Sequence, residues 1–338
     1  VAFPFNSSRV KCGLILAAAA LGAFVSAQAA DSPRVTLTAK FAPGDSLEYR
    51  IESQIATAGK ADTPIANSEG PTQSSLVINL RERLDVLRVE RQAAGEAVAF
   101  RLTWDQAQAR SSSDAIDPTV ADPAAPYAKI QGRSVEFTLA PNGGISNFKG
   151  LEDILPGGVP PADAVSWIPM LVATSQFPSG GIAINQTWKA ERPMEGAPLA
   201  GLAWQMQSTY QRNESCPIYP NDDETHLKLP AGKGECAVIL SEMTISRHGS
   251  AHSDATPPDF MANGLRTSGS WTGDGSILGS ISLQTGLLYT ATETSSQDAD
   301  YEIKSATTGS AIHYVAKVQN QTGIALISFV PAAAAQAR

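Results

Sequence analysis

Apolar and polar residues alternate with period two through much of the chain. Val98, Phe100, Leu102 and Trp104 share one side of an extended segment, and Ala99, Arg101, Thr103 and Asp105 share the other. Leu202, Trp204, Met206 and Tyr210 repeat the plan in the second half, where Ser208 is the only polar residue on that side. One buried face and one wet face is how strands of antiparallel sheets read. Leu76, Ile78, Leu80, Leu84 and Val86 suit a long strand, while Leu76, Leu80, Leu84 and Leu87 would also line a helix. The Ser-rich entry and the Val and Ile content favour the strand. Val135, Phe137 and Leu139 run into Pro141-Asn142-Gly143-Gly144, then Ile145 and Phe148, and the Asn-Gly step suits a tight hairpin. Ile277, Ile281 and Leu283 lead likewise into Gln284-Thr285-Gly286 and Leu287.

A helical piece is predicted from Ala162 to Ser175, where Val165, Ile168, Leu171 and Val172 recur at helical spacing after Pro160-Pro161. The pattern predicts a mainly β protein, with antiparallel sheets in two similar halves, half-barrel or sandwich-like, and a short helical connection. The halves span 30–160 and 182–330, the connection 161–181, and an Ala-rich disordered tail 331–338. Stretches Ala58 to Thr72, Ser111 to Pro126 and Ala251 to Pro258, rich in Ala, Ser, Asp, Gly and Pro, read as exposed loops.

The first residues carry an address. Arg9 and Lys11 precede an apolar run from Gly13 to Val25 and a small-x-small site at Ala27-Gln28-Ala29, the plan of a secretory signal peptide over 1–29. Val1 is read as a bacterial GTG start. The run is too short for a bilayer that needs roughly twenty apolar residues, and no later segment reaches that length. The mature product is expected to be periplasmic or secreted, with its net charge falling from −8 to −10 as Arg9 and Lys11 leave. Such a chain disfavours nucleic acid and anionic lipid surfaces as partners. Cys12 lies in the leader without a lipoprotein context. Cys216 and Cys236 remain, an even pair that reads as a disulfide in an oxidising space.

Four short motifs carry a resemblance. Phe41-Ala42-Pro43-Gly44-Asp45 with Tyr49, the turn Pro141-Asn142-Gly143-Gly144, Ile184-Asn185-Gln186-Thr187-Trp188, and Gly275 and Gly279 before Thr285-Gly286-Leu287-Leu288 occur in this order. Together they resemble the exported, β-rich bacterial proteins grouped as a domain-of-unknown-function family, which usually carry Gly where Asn185 stands. The resemblance implies an envelope or secreted β protein with no assigned activity and no catalytic residues. Physically, Pro43-Gly44-Asp45 reads as a turn that launches a strand, Gly286 as a hairpin residue with positive φ, and Trp188 as core filling.

Catalytic chemistry is thin. His248 and His252 have an i, i+4 spacing, but Gly249 and Ser250 interrupt any helix, and zinc would need a third ligand such as Asp254. His226 and His313 complete the histidines. Gly269-Ser270-Trp271-Thr272-Gly273 places Trp where a nucleophile elbow needs Ser. Ser146 and Lys149 match Ser-x-x-Lys by letters, yet in a strand they point apart. Gly273-Asp274-Gly275 with Gly279 is out of register for a dinucleotide site, and glycine in a strand marks close backbone approach instead. Asn221-Asp222-Asp223-Glu224 lacks the spacing of a calcium loop. No metal or cofactor is expected. Among Trp104, Trp167, Trp188, Trp204 and Trp271, the first and fourth, Trp104 and Trp204, lie on apolar strand faces and are the candidate ligand-binding residues.

Three classes of function fit. The first is a non-catalytic envelope protein whose curved sheet binds an apolar small molecule or lipid. The second is a scaffold pairing with proteins through edges or loops. The third is a hydrolase with two carboxylates facing each other across a β cleft at about 5 to 10 Å. An outer-membrane barrel is disfavoured, since aromatic residues make up only 7% and no girdles are evident.

Overall fold

Period-two alternation resolves into strands throughout the computed structural model, which describes residues 33–62, 72–93, 95–114, 122–141, 144–151, 177–178, 180–194, 196–217, 234–247 and 255–332. The strands are β1 (Ser46–Asp62), β2 (Thr72–Gln92), β3 (Gly95–Ser113), β4 (Ser134–Leu139), β5 (Ile145–Lys149), β6 (Thr187–Pro193), β7 (Leu202–Ser215), β8 (Glu235–Arg247), β9 (Leu265–Ser282), β10 (Leu288–Ser305) and β11 (Ala311–Val330). Two short helices accompany them among the described residues, α1 (Ala125–Ile130) and α2 (Pro258–Ala262).

All eleven strands form one antiparallel sheet in the order β5-β4-β3-β2-β1-β11-β10-β9-β8-β7-β6, which is not closed into a barrel. Neighbours in sequence pair in space except β5 and β6, which form the two outer edges, and neighbours in space are neighbours in sequence except at the centre. There β1 pairs with β11, from Ser46 opposite Val330 to Asp62 opposite His313.

The alternation sorts the two faces. On one side lie Leu47, Tyr49 and Ile51 of β1, Leu80 and Leu84 of β2, and Phe100 and Leu102 of β3, all buried. The opposite side carries a ladder of charges from strand to strand. Arg81 pairs with Glu48, Arg83 with Asp105 at 3.0 Å, and Arg101 with Glu136 at 2.8 Å. Exposed pairs of this kind contribute about 0–1 kcal/mol each, so their main effect is to keep that face wet.

The apolar face is the inside of a curl. Arg192 of β6 meets Glu293 of β10 at 3.9 Å, although β7, β8 and β9 stand between them. Four strand-to-strand steps would separate them by about 19 Å on a flat sheet. Their contact requires that the sheet roll toward this face. The same core cluster holds Phe100 and Trp104 from β3 together with Ile239 from β8, with Leu37 and Ile182 packed among them. The stretch before β1 helps to tie the curl, since Val35 and Ile182 exchange backbone hydrogen bonds at 2.8 Å and Lys40 N donates to Thr285 O.

The turns behave as their residues dictate. Gly44 has φ +92°, and the Asp45 carboxylate accepts from Ala42 N at 2.7 Å and Ala332 N at 2.9 Å, anchoring the start of β1 and the end of β11. Gly286 has φ +69°, and an added Cβ would lie 2.4 Å from the Thr38 carbonyl, so both conformation and space exclude a side chain. Asn185, at φ +66°, occupies the same left-handed region, which Asn tolerates better than most residues.

Some stretches read as loops are strand or helix. Ala58 to Asp62 continue β1, Thr72 opens β2, Ser111 to Ser113 finish β3, Ala125 and Pro126 begin α1, and Pro258 begins α2. Ala58 and Gly59 have weak strand propensity, but both pair with β2 and β11, and ladder bonding overrides propensity. A Cβ on Gly59 would come within 2.7 Å of Val315 O, so the small residue is what lets the two strands approach there. The expected signal peptide, the helix from Ala162 to Ser175, the Asn142-Gly143 step and most of the tail lie outside the described residues.

Candidate functional site

Glu82 stands where an apolar residue belongs. On β2 the inward row runs Ile78, Leu80, Glu82, Leu84 and Val86, and every one of these is buried. Directly opposite on β1 is Tyr49, and directly opposite on β3 is Trp104. The three form a cross-strand row, each 0% exposed. Such opposed side chains have Cβ atoms roughly 4.5–5.5 Å apart and interact directly.

Two irregularities aim this row. The β1–β11 register shifts between Glu48 and Tyr49, and the β2–β3 register shifts between Arg81 and Glu82. Bulges bend a strand and redirect side chains, and they concentrate beside functional sites. At the second one the backbone of Trp104 turns to the segment after α1. Trp104 N donates to Arg133 O at 3.1 Å, and Trp104 O accepts from Gly132 N at 2.7 Å. The Trp104 backbone is therefore fixed to this segment through both its N–H and its carbonyl.

The polar atoms in the row are poorly served. Tyr49 Oη donates to Leu288 O at 3.3 Å, and burial raises its phenol pKa above the ordinary value. Glu82 Oε1, Glu82 Oε2 and Trp104 Nε1 have no hydrogen-bond partner among the described residues. Burial pushes the Glu82 carboxyl up to about 8, with the nearby Trp104 N–H offsetting part of the effect without reaching hydrogen-bond geometry. At neutral pH Glu82 is thus mainly the uncharged acid, which can donate as well as accept. Buried orphan polar groups are rare in folded proteins, and two that share one spot mark it as a candidate site.

A second inward acid lies in the other half. Glu293 is buried on β10, its pKa raised by burial and partly restored by Arg192. It faces Thr322, which joins Ser53 at 2.9 Å and Asn320 at 3.2 Å in a small polar band at the centre of the sheet. Glu82 and Glu293 do not form the carboxylate pair of a hydrolase. Glu82 is level with Tyr49 and Leu326, Glu293 with Thr322, and four residues along a strand is about 13 Å. That offset alone exceeds the roughly 5 to 10 Å such chemistry uses.

Trp104 and Trp204 are both on the inner face but in different clusters. Trp104 belongs to the large core beside Glu82, while Trp204 packs with Met206 and Met243 near Ile245 and Met194. Trp188 meets Phe177 edge-on at 5.8 Å. Trp271 stacks on Tyr301, which stacks on Tyr314, and Trp271 Nε1 donates to Gln297 Oε1 at 3.1 Å. The β9 glycines behave as close-approach positions, since a Cβ on Gly275 would lie 2.6 Å from Thr294 O and 3.0 Å from the Met243 methyl.

No family model matches the chain. No curated protein matches it either. Several solved structures are similar to it, among them two from bacteria. One is a protein of Bacteroides fragilis NCTC 9343 described as exported and YmcC-like in fold, with a TM-score of 0.27 and 8% identity over 88% of this chain and 100% of that one. The other, from Parabacteroides distasonis ATCC 8503, is described as a lipoprotein, with a TM-score of 0.28 and 10% identity over 88% of this chain and 100% of that one.

The remaining sequence candidates carry less. Cys216 and Cys236 are joined by a disulfide with Cα atoms 4.9 Å apart, which fastens the end of β7 to the start of β8. Ser146 and Lys149 both lie in β5, and Gly269 to Gly273 in β9, so neither stretch has the helix its motif would need. His313 Nε2 meets Asp300 Oδ1 at 2.7 Å on the exposed surface. Trp167, His226, His248, His252, Asp254 and the 221–224 cluster lie outside the described residues. Among the described residues no group of His, Cys, Asp and Glu is placed to hold a metal, and no helix is long and apolar enough to cross a membrane. Glu82 escaped sequence reasoning because it reads as a gap in the row Leu76, Ile78, Leu80, Leu84, Val86. Its signal was that very position, an acid in phase with an apolar face.

Proposed function

We propose that the protein is a non-catalytic binding protein of the bacterial envelope, periplasmic or secreted, which holds a molecule with an apolar body inside its rolled sheet. The observation that carries this reading is the inner face itself. It rolls far enough for β3 and β8 to share one core, yet its sheet stays open, and its apolar rows are interrupted by a few converging polar groups. That composition, mostly apolar with sparse orienting polar atoms, is the usual make-up of a small-molecule site. The disulfide and the leader-like segment support an oxidising compartment outside the cytoplasm.

The test is native mass spectrometry of protein purified from its bacterial host without detergent, joined to titration with a fluorescent acyl probe. A bound mass of a few hundred daltons, or saturable probe binding at one site, is expected. Bare protein by mass together with no saturable probe binding removes the reading and leaves the scaffold alternative standing.

A further inference from the structure

Glu82 and Trp104 specify more than an apolar guest. We infer that they form the head-group site for an uncharged, hydroxyl-bearing amphiphile, such as a long-chain alcohol or a neutral glyceride; the inference rests on the binding role proposed above.

The head group is chosen by what surrounds the two residues. Glu82 offers oxygen acceptors and, when protonated, an O–H donor, while Trp104 Nε1 offers a donor only. A hydroxyl satisfies both at once, donating to a Glu82 oxygen and accepting from the indole. A phosphate or carboxylate head would need a cation. Among the described residues the inward rows of β1, β3, β4 and β11 contain no Lys or Arg, Arg91 at the far end of the β2 row is exposed and paired with Glu96, and the inward Arg192 is engaged by Glu293. An ammonium head would need ionised Glu82 in a surrounding of Leu80, Leu84, Leu102 and Tyr49, where burial opposes that charge. A neutral head pays neither penalty.

In this assignment the apolar body follows the row beside Glu82. Inward from Glu82 along the sheet run Leu80 and Ile78 on β2, with Ala107 and Ala109 facing them on β3 and Ile51 and Ser53 on β1. The two alanines keep that side of the row low beside bulkier neighbours. Retaining an acid in such a row costs stability relative to an apolar residue of similar size, and a ligand hydroxyl would supply the missing partners.

The experiment compares 1-decanol, decanoic acid, decylamine and decyl phosphate for displacement of the acyl probe at pH 7, on the wild-type chain and on Glu82→Gln, Glu82→Leu and Trp104→Phe. Decanol is expected to displace at least ten-fold better than the amine or the phosphate. Glu82→Gln, which keeps a neutral donor and acceptor, should stay within a few-fold of wild type for decanol. Glu82→Leu should lose ten-fold or more while melting no lower than wild type, and Trp104→Phe should lose several-fold. Equal displacement by all four compounds, a preference for the amine, or unchanged decanol binding in Glu82→Leu overturns the head-group assignment while leaving the binding role intact. Failure of every compound to displace, with no saturable binding of the probe itself, sinks the binding role instead.

Discussion

Glu82 ties the folding of this protein to pH. Its carboxyl sits at about 8 in the folded chain against 4.5 for the ordinary group. Between these values the unfolded chain has released the proton and the folded chain retains it, so stability falls as pH rises through that window. The slope is about 1.4 kcal/mol per pH unit for one proton. Below the window both states hold the proton, and above it both have lost it, so the contribution is flat on either side. Glu293, raised in the same direction by burial, adds a second component. Glu82→Gln is therefore expected to flatten the dependence of melting temperature on pH between about 5 and 8 without abolishing it, and to melt higher than wild type at pH 8. Urea unfolding across that range is the check. At this scale the sequence was legible where residues obey the alternation, as Phe100, Leu102 and Met206 do. It was opaque at Glu82, because periodicity scores such a residue as noise. The different surroundings of the two strand tryptophans were equally hidden, since Trp104 and Trp204 have the same local pattern but different cross-strand neighbours, Glu82 for the first and Arg192 and Ile245 for the second.

Strands were legible as elements, and their ends were not. Ala58 to Asp62 pair with β11 and Ser111 to Ser113 with β2, though their letters favour turns. What extends them is a partner backbone, which no local window contains. The link between β7 and β8 is a clearer case of local chemistry setting an element. The disulfide closes a separation of 20 residues, which restricts the unfolded chain by about 3 kcal/mol in the loop-entropy model. Replacing Cys216 and Cys236 together with Ala should lower stability by about that amount and the melting temperature by several degrees. Reduction of the wild-type protein should give the same shift. A double variant as stable as the oxidised wild type would show that the bridge adds nothing to this hairpin.

Across the whole molecule, the sheet order could not be read from the chain, because alternation reports which face a residue takes and never which strand lies beside it. The contact between Arg192 and Glu293, four strand positions apart, illustrates the limit. That pair also makes a prediction at this scale. Arg192→Met keeps the aliphatic stem but leaves Glu293 without its cation, and should cost about 1–3 kcal/mol at pH 7. The loss should shrink in acid, where Glu293 takes up a proton, and hydrogen exchange should quicken first in β6, the strand that Arg192 fastens to the roll. Uniform exchange across all strands would argue that the ion pair does not hold the curl. The pairing of β1 with β11 has a different consequence. As the chain is synthesised, β1 finds β2 almost at once, but its other edge must wait until Ala311 to Val330 exist. During that interval a long row of unbonded amides and carbonyls faces any neighbouring polypeptide, the hazard that unprotected strand margins carry. Premature termination before the central seam would therefore yield a sticky half-product rather than a smaller version of the same fold.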